Sequence, residues 1–265
     1  MGFPIDHDLH THTVLSSCSA DPEQTAQRLL THAKENGYTV QCVTDHLWDA
    51  LVPGASDWYA PQDIEHVKKN LPLPKDDQVR MVFGCETEFC GGKKLGLHPS
   101  HYDDFDFIVI PPNHFHMKDF VRPSSYDTEE KVADLLVERL EELLELDLPW
   151  RKVGIAHLNC SLTFTEGDCN RVFHLADEKR FRAAMRRFAE KGAGIELNVY
   201  SFALAKPGSD EDQYRMFRFA KEEGCKFYLA TDAHHPNELD VIPNHAAEVI
   251  EKLGLTEKDL YRIPE

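Results

Sequence analysis

The chain has 265 residues and a formal net charge of −17, with 29 basic against 46 acidic side chains. That imbalance excludes a general nucleic-acid binder and a polybasic membrane-docking protein, and a bound phosphate must find its positive charge locally. A hydrophobic content of 42% supports one sizeable core, so residues 1–265 read as a single domain.

Taken in chain order, alternating runs predict a strand over 5–10 and a helix over 22–36, with Asp21 as N-cap, Pro22 at the first helical position and Gly37 as the stop. Strands follow over 39–44, 79–85 and 106–110. A long helix over 128–146 carries the apolar stripe Val132, Leu135, Leu136, Leu140, Leu143 and Leu144. Beyond it the pattern predicts strands over 152–156, 194–197 and 226–230, and helices over 178–191, 210–223 and 243–252. Gly192, Gly224 and Gly254 stand just past the ends of those helices. The Pro- and Gly-rich stretches 52–61, 71–75 and 91–100 read as loops. No internal repeat interrupts the series.

Strand-helix alternation throughout implies parallel strands. Nearly every strand ends close to a His, Asp or Glu, and a closed barrel is the architecture that gathers all strand ends into one ring. A doubly wound sheet would feed one crevice from the few strands beside its switch point. The expectation is therefore an α/β, TIM-like (β/α)7 barrel, with room for an eighth unit in 47–74 or 91–104.

The ring of polar residues begins with His10-Thr11-His12. Residues two apart on a strand face the same side, so both imidazoles address one point. Asp45-His46, Glu86, His114, His157 and Asp232-Ala233-His234 close later strands. Histidine nitrogens and carboxylate oxygens are the usual ligands of zinc, manganese and iron. Glu88 competes with Glu86 because both share a face, and His116 competes with His114. Asp45 is expected to orient an imidazole, and Asp8 to point away from the ligands.

In order along the chain, Asp8-Leu9-His10-Thr11-His12-Thr13, Thr44-Asp45-His46, Gly84-Cys85-Glu86, Ala156-His157 and Thr231-Asp232-Ala233-His234 resemble the motifs of the PHP (polymerase and histidinol phosphatase) superfamily. The resemblance runs from residue 5 to about residue 240. It implies a distorted (β/α)7 barrel with two or three divalent metal ions (zinc, manganese or iron) and hydrolysis of phosphate esters. By the resemblance, His10, His12, Glu86 and Asp232 hold one metal. Glu86 bridges to a second on His114 and His157, and a third uses Cys18, His46 and His234. A thiolate at Cys18 favours zinc or iron over manganese there, and a small buried residue is the alternative reading of Cys18.

The expected reaction is attack of an activated water on a small phosphate monoester, with Glu86, Asp232 and His234 as the catalytic side chains. Glu196 ends the sixth strand, where it is expected to orient a ligand or touch substrate. Resembling histidinol phosphatases follow this Glu-x-Asn stretch with an Arg that grips phosphate, whereas this chain has Val199-Tyr200-Ser201-Phe202. Arg122 and Lys206 are the substitutes proposed for the phosphate clamp, with Lys118 and Arg151 as further candidates. Trp48, Trp58, Tyr59, Phe115, Phe120 and Tyr126 lie on loops that could line an apolar pocket.

An amidohydrolase also opens with HxH, but that class uses a bridging modified lysine where this chain offers Glu86. A nucleotide or oligonucleotide phosphoesterase is the other alternative, although no basic patch with interleaved aromatics is present. Seven scattered cysteines and no signal-peptide pattern predict reduced thiols and a cytoplasmic enzyme. The longest apolar runs are too short to span a bilayer. The partners expected are a small phosphorylated substrate, with no membrane and no stable nucleic acid. Oligomeric state is not legible.

Overall fold

The computed structural model describes residues 2–204 and 211–264. Its frame is a parallel sheet built from β1 (His7–Asp8), β2 (Val40–Val43), β3 (His46–Leu47), β4 (Arg80–Thr87), β5 (Phe107–Ile110), β6 (Val153–Ile155), β7 (Gly194–Asn198) and β8 (Lys226–Ala230). The order is β1-β2-β4-β5-β6-β7-β8, with β3 also pairing β4. Val43 pairs with Phe83 and His46 with Glu86, one continuous register, so β3 extends β2 across a break at Thr44 and Asp45. The break forms because Thr44 Oγ1 turns to accept the Thr11 N–H and Asp45 turns to accept from Thr13.

The sheet closes on itself. Leu9 N–H donates to Leu229 O at 3.0 Å, Asp232 N–H to His10 O at 2.8 Å and His12 N–H to Ala233 O at 3.0 Å. The result is the distorted seven-stranded barrel that the alternation implies, and among the described residues no eighth unit adds to it. The stretches 47–74 and 91–104 form loops and short helices instead.

Leu9, Val82, Phe107, Val109, Tyr228 and Ala230 fill the interior, joined by Tyr261 and Ile263. Gly154 makes room for the two largest rings: a Cβ there would lie 2.4 Å from Tyr228 Oη and 2.5 Å from Phe107 Cζ. Those rings meet edge to face at 5.3 Å. Tyr261 seals the lower end, donating its N–H to Phe227 O and its hydroxyl to Arg151 O. The barrel is thus filled below, and the His, Asp and Glu ring gathers at the mouth, where the C-terminal strand ends converge.

The outer helices are α1 (Ala26–Glu35), α2 (Ile64–Val67), α3 (Glu129–Leu143), α4 (Cys169–Leu175), α5 (Glu178–Lys191), α6 (Val199–Leu204), α7 (Glu211–Glu222) and α8 (Val241–Leu253). Thr128 and Asp177 cap α3 and α5, and Gly192 and Gly254 end α5 and α8 in the left-handed region. The first helix departs from expectation. Its cap is Thr25, while Asp21 holds the N–H of Glu23 in a turn. The delay has a cause: Gln24 Nε2 donates to His12 O and Ala233 O, tying this segment to the mouth before the helix can begin. The helices α2, α4 and α6, of seven residues or fewer, show no sequence periodicity long enough to recognise.

Candidate metal centre

At the mouth, His10 and His12 end the segment after β1, Glu86 lies in β4, and Asp232 follows β8. Their facing atoms form a tight polyhedron. His10 Nε2 and His12 Nε2 are 3.2 Å apart, each lies 3.4 Å from Glu86 Oε2, and Asp232 Oδ1 is 3.6 Å from the first and 3.2 Å from the second. Bonds of about 2.0–2.1 Å to a tetrahedral zinc put neighbouring donors roughly 3.3 Å apart. Glu86 Oε1 lies 3.1 Å from His157 Nε2 and 3.9 Å from His114 Nε2, so one carboxylate faces both donor groups. Four overlapping sets of donors lie close enough to share an ion: His10, His12 and Glu86; His10, His157 and Asp232; Glu86, His114 and His157; His12, His46 and His234.

Surrounding acceptors decide which way each imidazole presents its lone pair. His10 Nδ1–H donates to Glu196 Oε1 at 2.6 Å and His114 Nδ1–H to Glu88 Oε2 at 2.8 Å. His234 Nδ1–H donates to the Asp232 carbonyl at 2.8 Å. Ser16 gives its hydroxyl proton to Asp45 at 2.7 Å and therefore accepts the His12 Nδ1–H at 2.9 Å. Four Nε2 atoms are left as acceptors on the inner side. His46 Nδ1 and Glu86 Oε2 face each other at 2.8 Å without hydrogen-bond geometry, and both are buried without a hydrogen-bond partner. A cradle of mostly buried donors with orphaned lone pairs fits divalent cations.

Without a cation, protons must fill the gap. Burial pushes His10 down, but Glu86, Glu196 and Asp232 override it and raise its pKa to about 10. His46 and His157 are raised against burial as well, chiefly by Glu86 and Asp232 respectively. His12 goes the other way, lowered by burial and by His234 and His46. Burial pushes Glu86 and Asp232 up, yet the neighbouring imidazoles hold both carboxyls well below the usual range.

Two residues of this ring sit in the left-handed backbone region, His157 with φ 63° and Asp232 with φ 56°. That conformation is costly for residues with a side chain and concentrates at functional sites. Here it is over-determined. His157 donates its N–H to Glu196 Oε2 at 2.7 Å and its carbonyl accepts from Asn113 at 2.7 Å. Asp232 is held by His10 O on one side and Asn198 on the other.

All nine residues expected as ligands are therefore brought to the mouth. Cys18 is exposed at the rim and is not a buried packing residue. Burial raises its thiol, but hydrogen bonds to His234 and His46 outweigh that and hold it at about 7. The substrate-side expectations need correction. Arg122 is buried away from the cavity, donating to Phe115 O at 2.7 Å, to Tyr126 O, and to Glu166 at 2.7 Å, so it staples a loop and does not line the space above the donor cluster. Lys118 is paired with the same Glu166, and Arg151 lies at the closed end of the barrel beside Tyr261. Lys206 lies outside the described residues. Glu196 is buried under His10 and His157 and does not line the cavity, so it fixes those two residues and does not reach the space above them.

Glu88, read from sequence only as a rival of Glu86, orients His114 and also accepts from the Tyr59 hydroxyl at 3.0 Å. The alternation Glu86-Thr87-Glu88 on one strand was the signal for both. Ser16 had none. Above the cluster opens a cavity of about 470 Å³, floored by Glu86, His157 and Asp232 and walled by Trp58, Tyr59, His116, Met117, Phe120 and Leu162.

No protein-family model matches the sequence. Two curated relatives, both bearing the name probable phosphatase, come from Thermoanaerobacter sp. (strain X514) and Thermoanaerobacter pseudethanolicus. Each is 25% identical over 252 residues, 94% of this chain and 87% of the relative. The structure of histidinol phosphate phosphatase from Lactococcus lactis, complexed with zinc, L-histidinol and phosphate, superposes with a TM-score of 0.58 at 14% identity, covering 97% of this chain and 99% of the other. The fold is that of the histidinol phosphatases. A Listeria monocytogenes protein named for the same activity gives a TM-score of 0.58 at 15% identity over 88% of this chain and 97% of its own. The distorted barrel expected from the sequence is borne out. Among the described residues, no helix is long and apolar enough to cross a membrane.

Proposed function

We propose that this protein is a metal-dependent phosphoesterase that hydrolyses a small phosphate monoester, with its 265 residues acting as one catalytic unit. The observation that carries the reading is the 3.2 Å approach of His10 Nε2 to His12 Nε2, both with their other nitrogen committed to an acceptor. Two inward lone pairs at that distance repel unless a proton or a metal ion lies between them, and a metal ion satisfies both nitrogens together with Glu86 and Asp232. His10, His12, Glu86 and Asp232 would hold one ion, Glu86, His114 and His157 a second, and Cys18, His46 and His234 a third for which the thiolate favours zinc or iron over manganese. Bound there, divalent metals lower the pKa of water and neutralise charge on the phosphoryl oxygens.

The protein's own groups supply positioning and proton movement. Glu196, Glu88, Ser16 and the Asp232 carbonyl hold the imidazoles in one tautomer, so no reorganisation is needed when substrate arrives. Asp232 faces the cavity and is held ionised by His157 and His10 despite burial, so it can accept a hydrogen bond that orients the attacking water, whose proton a bound metal would make acidic. The water forms a bond to phosphorus as the ester P–O bond breaks, and the departing alkoxide needs a proton. His234 stands at the rim of the cavity to return it. Burial lowers its basicity, but Cys18 and Asp232 raise it above that of a free imidazole. The test is a hydrolysis screen of the metal-loaded protein on phosphate monoesters, phosphodiesters, amides and lactones. Turnover confined to monoesters is expected; cleavage of amides or lactones alone would contradict the reading.

A further inference from the structure

Resting on that phosphatase reading, we infer that the alcohol released from the substrate is uncharged and carries an aromatic or similarly bulky apolar group.

The wall above the donor cluster is mostly apolar, with Ser56 and His116 as its polar members. Trp58 stands edge to face on His46 at 5.0 Å and on Tyr59 at 4.7 Å. Tyr59 is fixed by its hydroxyl on Glu88 and stacks at 5.9 Å on Phe120. Leu162 enters the same cavity from the loop after β6. Trp58 and Leu162 are each 39% exposed, which is costly for side chains of this size unless something covers them.

Charge narrows the class further. Among the described residues, no lysine or arginine lines the cavity. Lys94 donates to Gly54 O and lies over the rings of Trp48 and Phe120, Lys118 pairs with Glu166, and Arg122 is bonded to the Phe115 and Tyr126 carbonyls and Glu166. One phosphate finds its counter-charge at the metal cluster, but a second phosphate or a carboxylate would face a mostly apolar wall with no lysine or arginine among the described residues, in a protein of net charge −17. The volume of about 470 Å³ accommodates a ring beside the phosphate.

The test compares 2-phenylethyl phosphate with glycerol 3-phosphate on the metal-loaded protein, since both release a primary alcohol and leaving-group chemistry is matched. Burying one ring predicts kcat/KM at least about tenfold higher for the phenylethyl ester. Trp58→Ala and Leu162→Ala should each reduce that ratio severalfold, with Trp58→Leu as a second variant should the alanine form fail to fold. Calorimetry with phenethylphosphonate and methylphosphonate reads the same preference as an affinity ratio, without turnover. A wild-type ratio under tenfold, or one unmoved by both variants, overturns the inference. If neither ester is hydrolysed with metals bound, the phosphatase reading falls instead, and the phosphonate ratio still decides the pocket.

Discussion

Glu196 reaches from β7 to accept the Nδ1–H of His10 at 2.6 Å, and with its other oxygen accepts the backbone N–H of His157 at 2.7 Å. One buried carboxylate thereby aims the His10 imidazole and fixes the backbone that carries His157, far along the chain. Partners of this kind typically contribute tenfold to a hundredfold to metal affinity. Glu196→Gln is expected to weaken metal binding by about that factor, with the barrel intact by circular dichroism. Competition against a chelator measures it, and an unchanged affinity would remove Glu196 from the support of the site.

His12→Ala takes away a donor that belongs to two of the four ion-sized groups. Phosphatase turnover should fall by roughly a thousandfold or more. The melting temperature of the metal-free protein should not fall, because the interior core of Phe107 and Tyr228 is untouched. Steady-state kinetics beside a thermal melt separates loss of chemistry from loss of fold.

The metal-free protein should lose stability on both sides of mildly acidic pH. His10 has a raised folded pKa, so its contribution is complete below about 6.5 and disappears as pH rises through about 10. Glu86 and Asp232 have depressed folded pKa values, so theirs is present above about pH 4 and is lost as pH falls below it. Scanning fluorimetry with chelator should show the highest melting temperature near about pH 5–6, declining toward pH 10. Saturating zinc should abolish the alkaline decline, because bound metal displaces those protons. A metal-free melting temperature that climbs from pH 7 to 10 would contradict this.

Arg122→Leu tests the reassignment of that residue. Two carbonyls lose a charge-assisted donor, an expected cost of about 2–4 kcal/mol, seen as a lower midpoint in urea. Inhibition by inorganic phosphate should not weaken. A large rise in the phosphate inhibition constant with unaltered stability would restore Arg122 as a clamp.

Cys18→Ala separates the rim from the floor. The variant should bind one metal equivalent fewer than the parent while retaining the ions on the His10–His12 and His114–His157 sides. Elemental analysis after gel filtration counts them, and an unchanged count would exclude the thiol as a ligand.

Much of this arrangement was visible before folding. Strand positions and the ring of donors show because a period of two places His10 and His12 together and Glu86 on the inner face. What escaped has physical reasons. His46–Leu47 is a two-residue continuation of β2, interrupted where Thr44 and Asp45 spend their side chains on neighbouring backbone, and no pattern marks so short a strand. The first helix starts late because Gln24 bonds to carbonyls more than two hundred residues apart in sequence. Arg122 resembles any loop cation in sequence, since two of its three partners are backbone carbonyls. Glu86 and Glu88 looked like competitors because a shared face says nothing of depth; one fronts the cavity and the other supports His114.

Anomalous scattering from crystals grown with zinc tests the central assignment most directly. The account predicts at least two peaks, one within bonding distance of His10, His12 and Asp232 and one within bonding distance of His114 and His157, with Glu86 touching both. Density maps with no peak at the mouth, or with zinc bound only elsewhere on the surface, would contradict it.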